Sequence, residues 1–243
     1  MTHLKKNNIE EGPVHPIKGV HRRTFLKYAG ITAGATALLV GCNNDDDDDQ
    51  VPVTPQGVNL GSGDVGILNY AYALEQLEAA FYIMVVANTS FDTTFTSAEQ
   101  QILTDIRDHE IVHRDFLKAA LGTSAIQDLE VDFSSVNFAS KSSVLTTAKT
   151  FEDLGVSAYN GAGKLLTDAN NLLLAGKIVS VEARHAAAIR DLLSTAPLNS
   201  ADFAGDDVVD VNGLDQAKTP AQVLAAADPF IVTQLDASNL PTT

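Results

Sequence analysis

The chain has 243 residues, of which 45% are hydrophobic, so it can form one domain of ordinary size with extensions. Its formal net charge of −15 argues against nucleic acid as a partner, because too few cations are present to neutralise phosphates. It has one cysteine, which excludes a disulfide bond within the chain.

The N-terminal stretch predicts export. HRRTFLKYAGITAGATALLVGC (21–42) contains a twin arginine, Arg22-Arg23, and then an apolar run that is too short to span a membrane as a stable helix. It resembles a twin-arginine export signal that ends in a lipoprotein cleavage box, LVGC. The resemblance implies that residues 1–41 are removed and that Cys42 carries the lipid. The alternative is an uncleaved N-terminal anchor.

An acidic segment follows the predicted cleavage site. Without residues 1–41 the chain holds ten Lys and Arg against 29 Asp and Glu, a net charge of −19. The aspartates at 45–49 repel one another, so residues 42–61 are predicted to form a flexible tether. Such a run after a lipidated cysteine resembles surface-export signals in some Gram-negative lineages, and a plain linker is the alternative. We expect an exported protein, lipid-anchored in the cell envelope, with the outer membrane or cell surface as candidate locations.

The body of the chain, 62–196, is predicted to form four long amphipathic helices, and the C-terminal extension, 197–243, one short helix. The four long helices are predicted at 63–88, from the Thr96–Glu99 capping box to Gly122, at about 141–160 with an end near Gly161 and Gly163, and at 168–195. The short helix is predicted at 220–227, with Thr219 as cap and Gln222 completing a second capping box.

The link between the second and third long helices, 123–140, has no helical period. Its roughly 18 residues can extend about 60 Å, whereas a helix of about 20 residues is only about 30 Å long. The link can therefore cross the whole bundle. The sequence thus predicts an all-α fold, a four-helix bundle of two helical hairpins joined by one long crossover.

Each long helix has a stripe that is apolar at both ends and ionisable in the middle. The ionisable or hydroxyl-bearing positions are Glu75, Glu78 and Tyr82 in the first helix, Glu110 and His113 in the second, Glu152 and Tyr159 in the third, and Glu182 and His185 in the fourth. The Glu-to-Tyr spacing of seven occurs twice, and so does Glu-x-x-His. The first helix therefore corresponds to the third and the second to the fourth, as if one hairpin had been duplicated.

The central groups of these stripes are predicted to bind metal. Residues i and i+3 share a helix face, so four carboxylates and two imidazoles can converge on the bundle axis. Buried anions without counter-charge are very unfavourable, and no Lys or Arg lies in the stripes. Two divalent cations would balance four carboxylates and leave both imidazoles neutral, the form that ligates metal. The predicted ligands are Glu75, Glu110, His113, Glu152, Glu182 and His185. The alternative is a buried polar network without metal.

This arrangement of glutamates and two Glu-x-x-His motifs resembles that of the ferritin-like di-iron carboxylate proteins. The chain is identified as a member of the ferritin-like family, in the exported branch that includes desiccation-related proteins. The match covers 60–196 in order, and TPAQVLAAADPF (219–230) is similar to that branch as well.

The resemblance implies two iron ions, or manganese, as cofactors. It implies that Glu110 and Glu182 bridge or chelate the metals, that Glu75 and Glu152 are terminal ligands, and that each metal has one histidine.

Alternatives stay open for three residues near the predicted ligands, Glu78, Tyr82 and Tyr159. Glu75 is preferred over Glu78 in the first helix, because Glu75 corresponds to Glu152 whereas Glu78 corresponds to a glycine; Glu78 is a second or outer ligand in the other interpretation. Tyr82 and Tyr159 are either hydrogen-bonding or redox-active partners of the metals or ordinary core aromatics. His109 lies off the stripe and is predicted to be a surface residue.

Two functions are compatible with such a site. In the first, the metals react with dioxygen or peroxide, and the protein oxidises ferrous iron or removes peroxide in stress protection. The catalytic residues are unknown, and the absence of C-x-x-C pairs excludes a rubredoxin-like electron supply within this chain. In the second, the protein is a non-enzymatic surface module in which metal is structural. The expected partners are metal ions, dioxygen or peroxide and the membrane, and a homodimer is compatible with the sequence.

Replacing the twin arginine with Arg22→Lys/Arg23→Lys is expected to retain the protein, with its metal, inside the cell, because the twin-arginine route exports folded proteins. Cell fractionation with immunoblotting and metal analysis measures this. The control variant Lys5→Arg/Lys6→Arg leaves the twin arginine intact and is expected to be exported. An unchanged location of the Arg22→Lys/Arg23→Lys variant contradicts the predicted route.

Overall fold

The computed structural model describes residues 57–194 and 204–242. The predicted signal, the lipidation site Cys42 and residues 42–56 of the predicted tether lie outside this part of the chain. The described helices are α1 (Gly63–Ala87), α2 (Phe91–Thr94), α3 (Ser97–Leu121), α4 (Lys141–Gly163), α5 (Ala169–Leu193) and α6 (Pro220–Ala227). Two short strands, β1 (Val58–Asn59) and β2 (Leu235–Asp236), pair in parallel.

The four long helices form two hairpins, in agreement with the predicted all-α bundle. α1 packs on α3, and α4 packs on α5. Lys141 at the start of α4 forms an ion pair with Glu99 in the first turn of α3, so these two helices begin at the same end of the bundle. Asp64 in the first turn of α1 accepts hydrogen bonds from Thr167 and Asp168, directly before α5, so α1 and α5 begin at the other end.

The link between α3 and α4 crosses the bundle alongside α1, and this confirms the predicted crossover. Near the start of α1, the Asn69 side chain donates to the Ser124 carbonyl at 2.9 Å. Three turns further along α1, the Phe81 ring lies edge-on to Phe133, with centroids 5.7 Å apart. Residue numbers therefore rise together on α1 and the link, which run in the same direction.

The predicted capping boxes are present. The Glu99 amide donates to Thr96 Oγ1 at 3.4 Å, and Glu99 Oε2 accepts from the Thr96 amide at 2.9 Å. Thr219 and Gln222 repeat this arrangement at the start of α6. α3 ends before Gly122, whose φ of 56° lies in the left-handed region that favours glycine. Local sequence signals therefore place these helix ends.

α4 ends at Gly163, which confirms the prediction that the third long helix ends near Gly161 and Gly163. Gly161 does not break the helix but lets another segment approach it. A β-carbon at this position would lie 1.8 Å from the Lys218 carbonyl oxygen, and the Lys218 amide donates to the Ser157 carbonyl at 2.9 Å. The glycine therefore serves the docking of the C-terminal extension on α4.

The segments before and after the four long helices are both attached to the bundle. Residues 57–61, predicted to close the flexible tether, belong to the folded part, since they include β1 and the fully buried Leu60. Arg190 of α5, only 3% exposed, binds Asp153 of α4 and Asp207 of the extension. Among the described helices, none combines the length and apolar content required to cross a membrane.

Asp64 is expected to stabilise the packing of α1 against the start of α5 at pH values above the pKa of its carboxyl group. Burial alone would raise the pKa of Asp64, but hydrogen bonds from Thr167, Asn171 and Asp168 outweigh burial and lower the pKa to about 2. Asp64→Ala should cost about 1–2 kcal/mol at pH 7, because hydrogen bonds to a half-buried carboxylate are lost. The difference from wild type should persist above pH 3.8 and vanish as the pH falls towards 2.

Urea unfolding of wild type and variant across this pH range measures the difference. Asp92→Ala removes an exposed carboxylate from α2 and serves as the control. A penalty for Asp64→Ala that stays constant down to the acid limit of folding contradicts the assignment.

Candidate metal centre

Each of the four long helices contributes one buried glutamate to the centre of the bundle. Glu75 of α1, Glu110 of α3, Glu152 of α4 and Glu182 of α5 are all 0% exposed. Each interrupts an apolar stripe, so burial of the flanking Leu, Ile and Ala side chains forces the carboxylate inward. The cluster therefore follows from the way the helices pack.

The structure brings all six predicted ligands together in two overlapping groups. One group consists of Glu75, Glu110, His113 and Glu182, and the other of Glu110, Glu152, Glu182 and His185. Within each group, one ligand atom from every residue lies within 4.8 Å of the others. Glu110 and Glu182 belong to both groups. Such an arrangement suits a pair of cations that share two carboxylates.

The contacts obey the internal two-fold expected from the sequence repeat. His113 Nδ1 lies 2.8 Å from Glu182 Oε1, and His185 Nδ1 lies 2.7 Å from Glu110 Oε1. Each histidine of one hairpin therefore faces a glutamate of the other. Despite the short distances, these nitrogens do not form well-aligned hydrogen bonds with the carboxylates. The atoms converge on shared points between them, as ligands around a cation do.

Tyr82 and Tyr159 fix the two outer carboxylates. Tyr82 on α1 donates to Glu152 Oε1 on α4 at 2.5 Å, and Tyr159 on α4 donates to Glu75 Oε1 on α1 at 2.5 Å. The Oε2 atoms of both glutamates remain without a hydrogen-bond partner. Each outer carboxylate thus offers one free oxygen to the centre. Of the two predicted roles, the hydrogen-bonding one is realised, while both rings are also buried in the core.

The donor set satisfies the requirements of a divalent metal pair. The buried side-chain atoms without a hydrogen-bond partner include oxygens of all four glutamates and Nδ1 of both histidines. Buried polar atoms are normally satisfied, so this concentration of unsatisfied ligand atoms needs an explanation. Two divalent cations would satisfy these atoms and cancel four carboxylate charges, with both imidazoles neutral.

The electrostatics of the cluster also favour a cation. Burial, followed by repulsion from Glu182, raises the pKa of Glu110 well above its ordinary range. Burial raises the pKa of Glu152 to about 7, despite the opposing effect of His185. Burial would lower the pKa of His113 and His185, but the surrounding carboxylates outweigh burial and raise both pKa values to about 12. The carboxylates therefore attract any positive charge that reaches them.

Glu78 is buried beside the centre but belongs to neither ligand group. It is 3% exposed, and its Oε2 has no hydrogen-bond partner. Its Oε1 lies 3.0 Å from the point where a β-carbon on Gly155 would be, so the glycine of the other repeat makes room for it. Burial, followed by repulsion from Glu110 and Glu182, raises the pKa of Glu78 well above its ordinary range. The preference for Glu75 as the ligand of α1 agrees with this placement.

The prediction that His109 is a surface residue is confirmed, because the residue is exposed. The sequence did not predict its contact with the ligand cluster, in which Nδ1 of His109 lies 2.9 Å from Nε2 of His185. His109 is not part of the buried stripe of α3, so the stripe does not predict this contact. The available signal was its position one turn before His113, on the side of α3 that faces α5.

Comparison with known families agrees with the fold. The sequence profile described as "Ferritin-like domain" matches residues 63–195. This range covers more than half of the chain, and the protein belongs to the ferritin-like domain family. A search of curated proteins found no match to this sequence. Membership of the desiccation-related branch stays a prediction.

Removal of either buried tyrosine hydroxyl is expected to destabilise the protein. Tyr82→Phe and Tyr159→Phe should each lower the free energy of unfolding by about 2 kcal/mol, because a buried carboxylate oxygen loses its donor. The two penalties should be similar, since the internal two-fold relates these residues. Urea unfolding measures them.

Tyr72→Phe is the matched control. Its ring is buried, but its hydroxyl donates at 3.3 Å to Asp128, which lies at the surface. It should cost less than about 1 kcal/mol. Equal penalties for all three variants would show that the hydroxyls do not support the carboxylates.

Proposed function

We propose that the protein binds a pair of iron ions, with manganese as the alternative metal, and oxidises ferrous iron or removes peroxide in stress protection. The observation that carries this proposal is the pair of buried ligand groups that share Glu110 and Glu182. Such a pair of ions supplies the Lewis-acid and redox chemistry that activates dioxygen or peroxide. Glu75 and His113 would complete one metal position.

The other metal position would be completed by Glu152 and His185. Tyr82 and Tyr159 hold the outer carboxylates so that one oxygen of each faces inward. The 0% exposure of the four glutamates keeps bulk water away from the reacting atoms. These residues therefore orient the ligands and exclude solvent, which supports chemistry on a small molecule.

The surroundings of Tyr159 support a small uncharged reactant. Tyr159 helps to line an apolar cavity between the helices, together with Leu74, Leu117 and Ile178. The Tyr159 hydroxyl donates to Glu75, so one residue of the cavity lining contacts the ligand cluster directly. Dioxygen and hydrogen peroxide are small enough for such a space, whereas the apolar lining disfavours charged metabolites.

The proposed location follows from the sequence. The twin arginine and Cys42 support export and lipid anchoring in the cell envelope, with the outer membrane or cell surface as the final site. A bundle whose buried carboxylates require cations benefits from metal loading before export, because the twin-arginine route carries folded proteins. The membrane through the lipid, metal ions, and dioxygen or peroxide are the proposed partners, and a homodimer is compatible with them.

The closed character of the site supports a second candidate function. All four glutamates are fully buried, and the His113 side chain is only 12% exposed. A metal pair enclosed in this way could serve only to hold the two hairpins together. The protein would then be a non-enzymatic surface module. Reactivity, rather than metal content, separates this candidate from the first.

Protein purified from its native host is expected to contain about two iron or manganese ions per chain. Glu110→Ala/Glu182→Ala should lose both ions, because both positions share these carboxylates. Elemental analysis measures the content. Glu130→Ala, which removes an exposed carboxylate that belongs to neither ligand group, should retain the wild-type content. Wild-type protein that cannot be loaded with either metal overturns the metal centre.

Oxygen-electrode and peroxide-consumption assays on the loaded protein then test the activity. Rapid oxygen uptake with ferrous iron, or peroxide removal with iron or manganese, supports the enzymatic function. Both activities should be absent from Glu110→Ala/Glu182→Ala and present in Glu130→Ala. Stable metal binding without either reaction would favour the structural role.

A further inference from the structure

The contact between His109 and His185 is an in-plane hydrogen bond. Nδ1 of His109 lies 2.9 Å from Nε2 of His185. The two ring centroids are 5.1 Å apart with an interplanar angle of 11°. This centroid distance is close to the greatest that such a short N···N distance allows. The rings are therefore nearly coplanar and meet edge to edge, and they do not stack face to face.

The two nitrogens of His185 have different surroundings. Nδ1 faces the carboxylates, 2.7 Å from Glu110 Oε1 and 3.5 Å from Glu152 Oε2. Nε2 faces His109. If Nδ1 holds a cation, the neutral imidazole must carry its proton on Nε2. His109 Nδ1 then accepts this proton in a hydrogen bond, and the exposed His109 ring carries its own proton on Nε2. Such partners fix the tautomer and orientation of a ligand and raise its basicity.

The internal two-fold is broken at this residue. Glu110 corresponds to Glu182 and His113 to His185, so the residue before each glutamate also corresponds: His109 in α3 and Val181 in α5. A valine side chain cannot accept a hydrogen bond from His113. Of the two histidines that face the carboxylates, His185 alone has an imidazole partner of this kind within the described residues.

We propose that His109 is a positioning residue that makes the two metal positions unequal. Because His109 orients His185, the position that His185 forms with Glu110, Glu152 and Glu182 has the higher affinity for a divalent cation. Metal then loads stepwise, first beside His185 and second beside His113. This inference rests on the proposed metal centre. Hydrogen-bond partners of ligands contribute 10- to 100-fold in affinity, and the exposure of His109 places its effect near the lower bound, about tenfold.

Titration of the full-length protein with cobalt(II) tests the proposal without any assay of activity. Competition with a chelator gives the two stepwise dissociation constants. Proton NMR of the cobalt-loaded protein detects the ring N–H of each ligand histidine, shifted by the paramagnetic ion. The single variants His113→Gln and His185→Gln assign these signals. The wild type is expected to bind two ions with unequal affinity, and the His185 N–H should exchange slowly with solvent.

Three variants separate positioning from general stability. His109→Val copies the residue of the other repeat and should weaken only the tighter step, by about tenfold, while the His185 N–H exchanges faster and that of His113 is unchanged. His109→Asn keeps an oxygen in the place of Nδ1 and should retain most of the difference. Val181→His should supply the missing acceptor to His113 and strengthen the weaker step.

The outcomes distinguish this proposal from the metal centre itself. Two equal steps in the wild type, or equal weakening of both steps by His109→Val, overturn the role of His109 and leave the metal centre intact. A failure of wild-type protein to bind cobalt, iron or manganese overturns both. Should His109→Val fail to fold, the contrast between His109→Asn and Val181→His still decides the proposal.

Discussion

The burial of four carboxylates at one point of the bundle axis is the constraint on which the rest of the structure depends. Each is held there by apolar residues on both sides of it along the same helix face, as Ile106 and Leu117 flank Glu110. Such a cluster is tolerable only if its charge is balanced, by protons or by cations. The surrounding groups meet this requirement in part. The two histidines lie against two of the carboxylates, and the two tyrosine hydroxyls donate hydrogen bonds to the other two.

Most of the fold and the ligand cluster could be predicted from the sequence because they follow from periodicity. A stripe with a spacing of three and four residues defines a helix face, and a break in the stripe identifies a buried polar group. Capping boxes placed the starts of α3 and α6 because they are local signals. Glu75 was preferred over Glu78 from the repeat, and the structure places Glu78 outside both ligand groups.

The features that escaped prediction depend on contacts between segments distant in sequence. The sequence gives no sign that the Lys218 backbone packs against Gly161 of α4. β1 is too short to give an alternating pattern and exists because Leu235–Asp236 offers a partner. His109 lies outside the buried stripe, and it reaches His185 because α3 and α5 lie close together at this point. Counting along α3 shows that His109 lies one turn before His113, but it cannot show which residue of α5 lies beside it.

The crossover between the hairpins has a consequence for how the centre assembles. Each ligand group draws residues from both hairpins, so neither hairpin alone can hold a cation with a full set of ligands. The link that runs beside α1 joins the two hairpins covalently and keeps them at a high effective concentration. Their association is therefore intramolecular and does not require two separate molecules to meet. A single ancestral hairpin with the same glutamates and Glu-x-x-His motif would have needed a second copy of itself to build the same site.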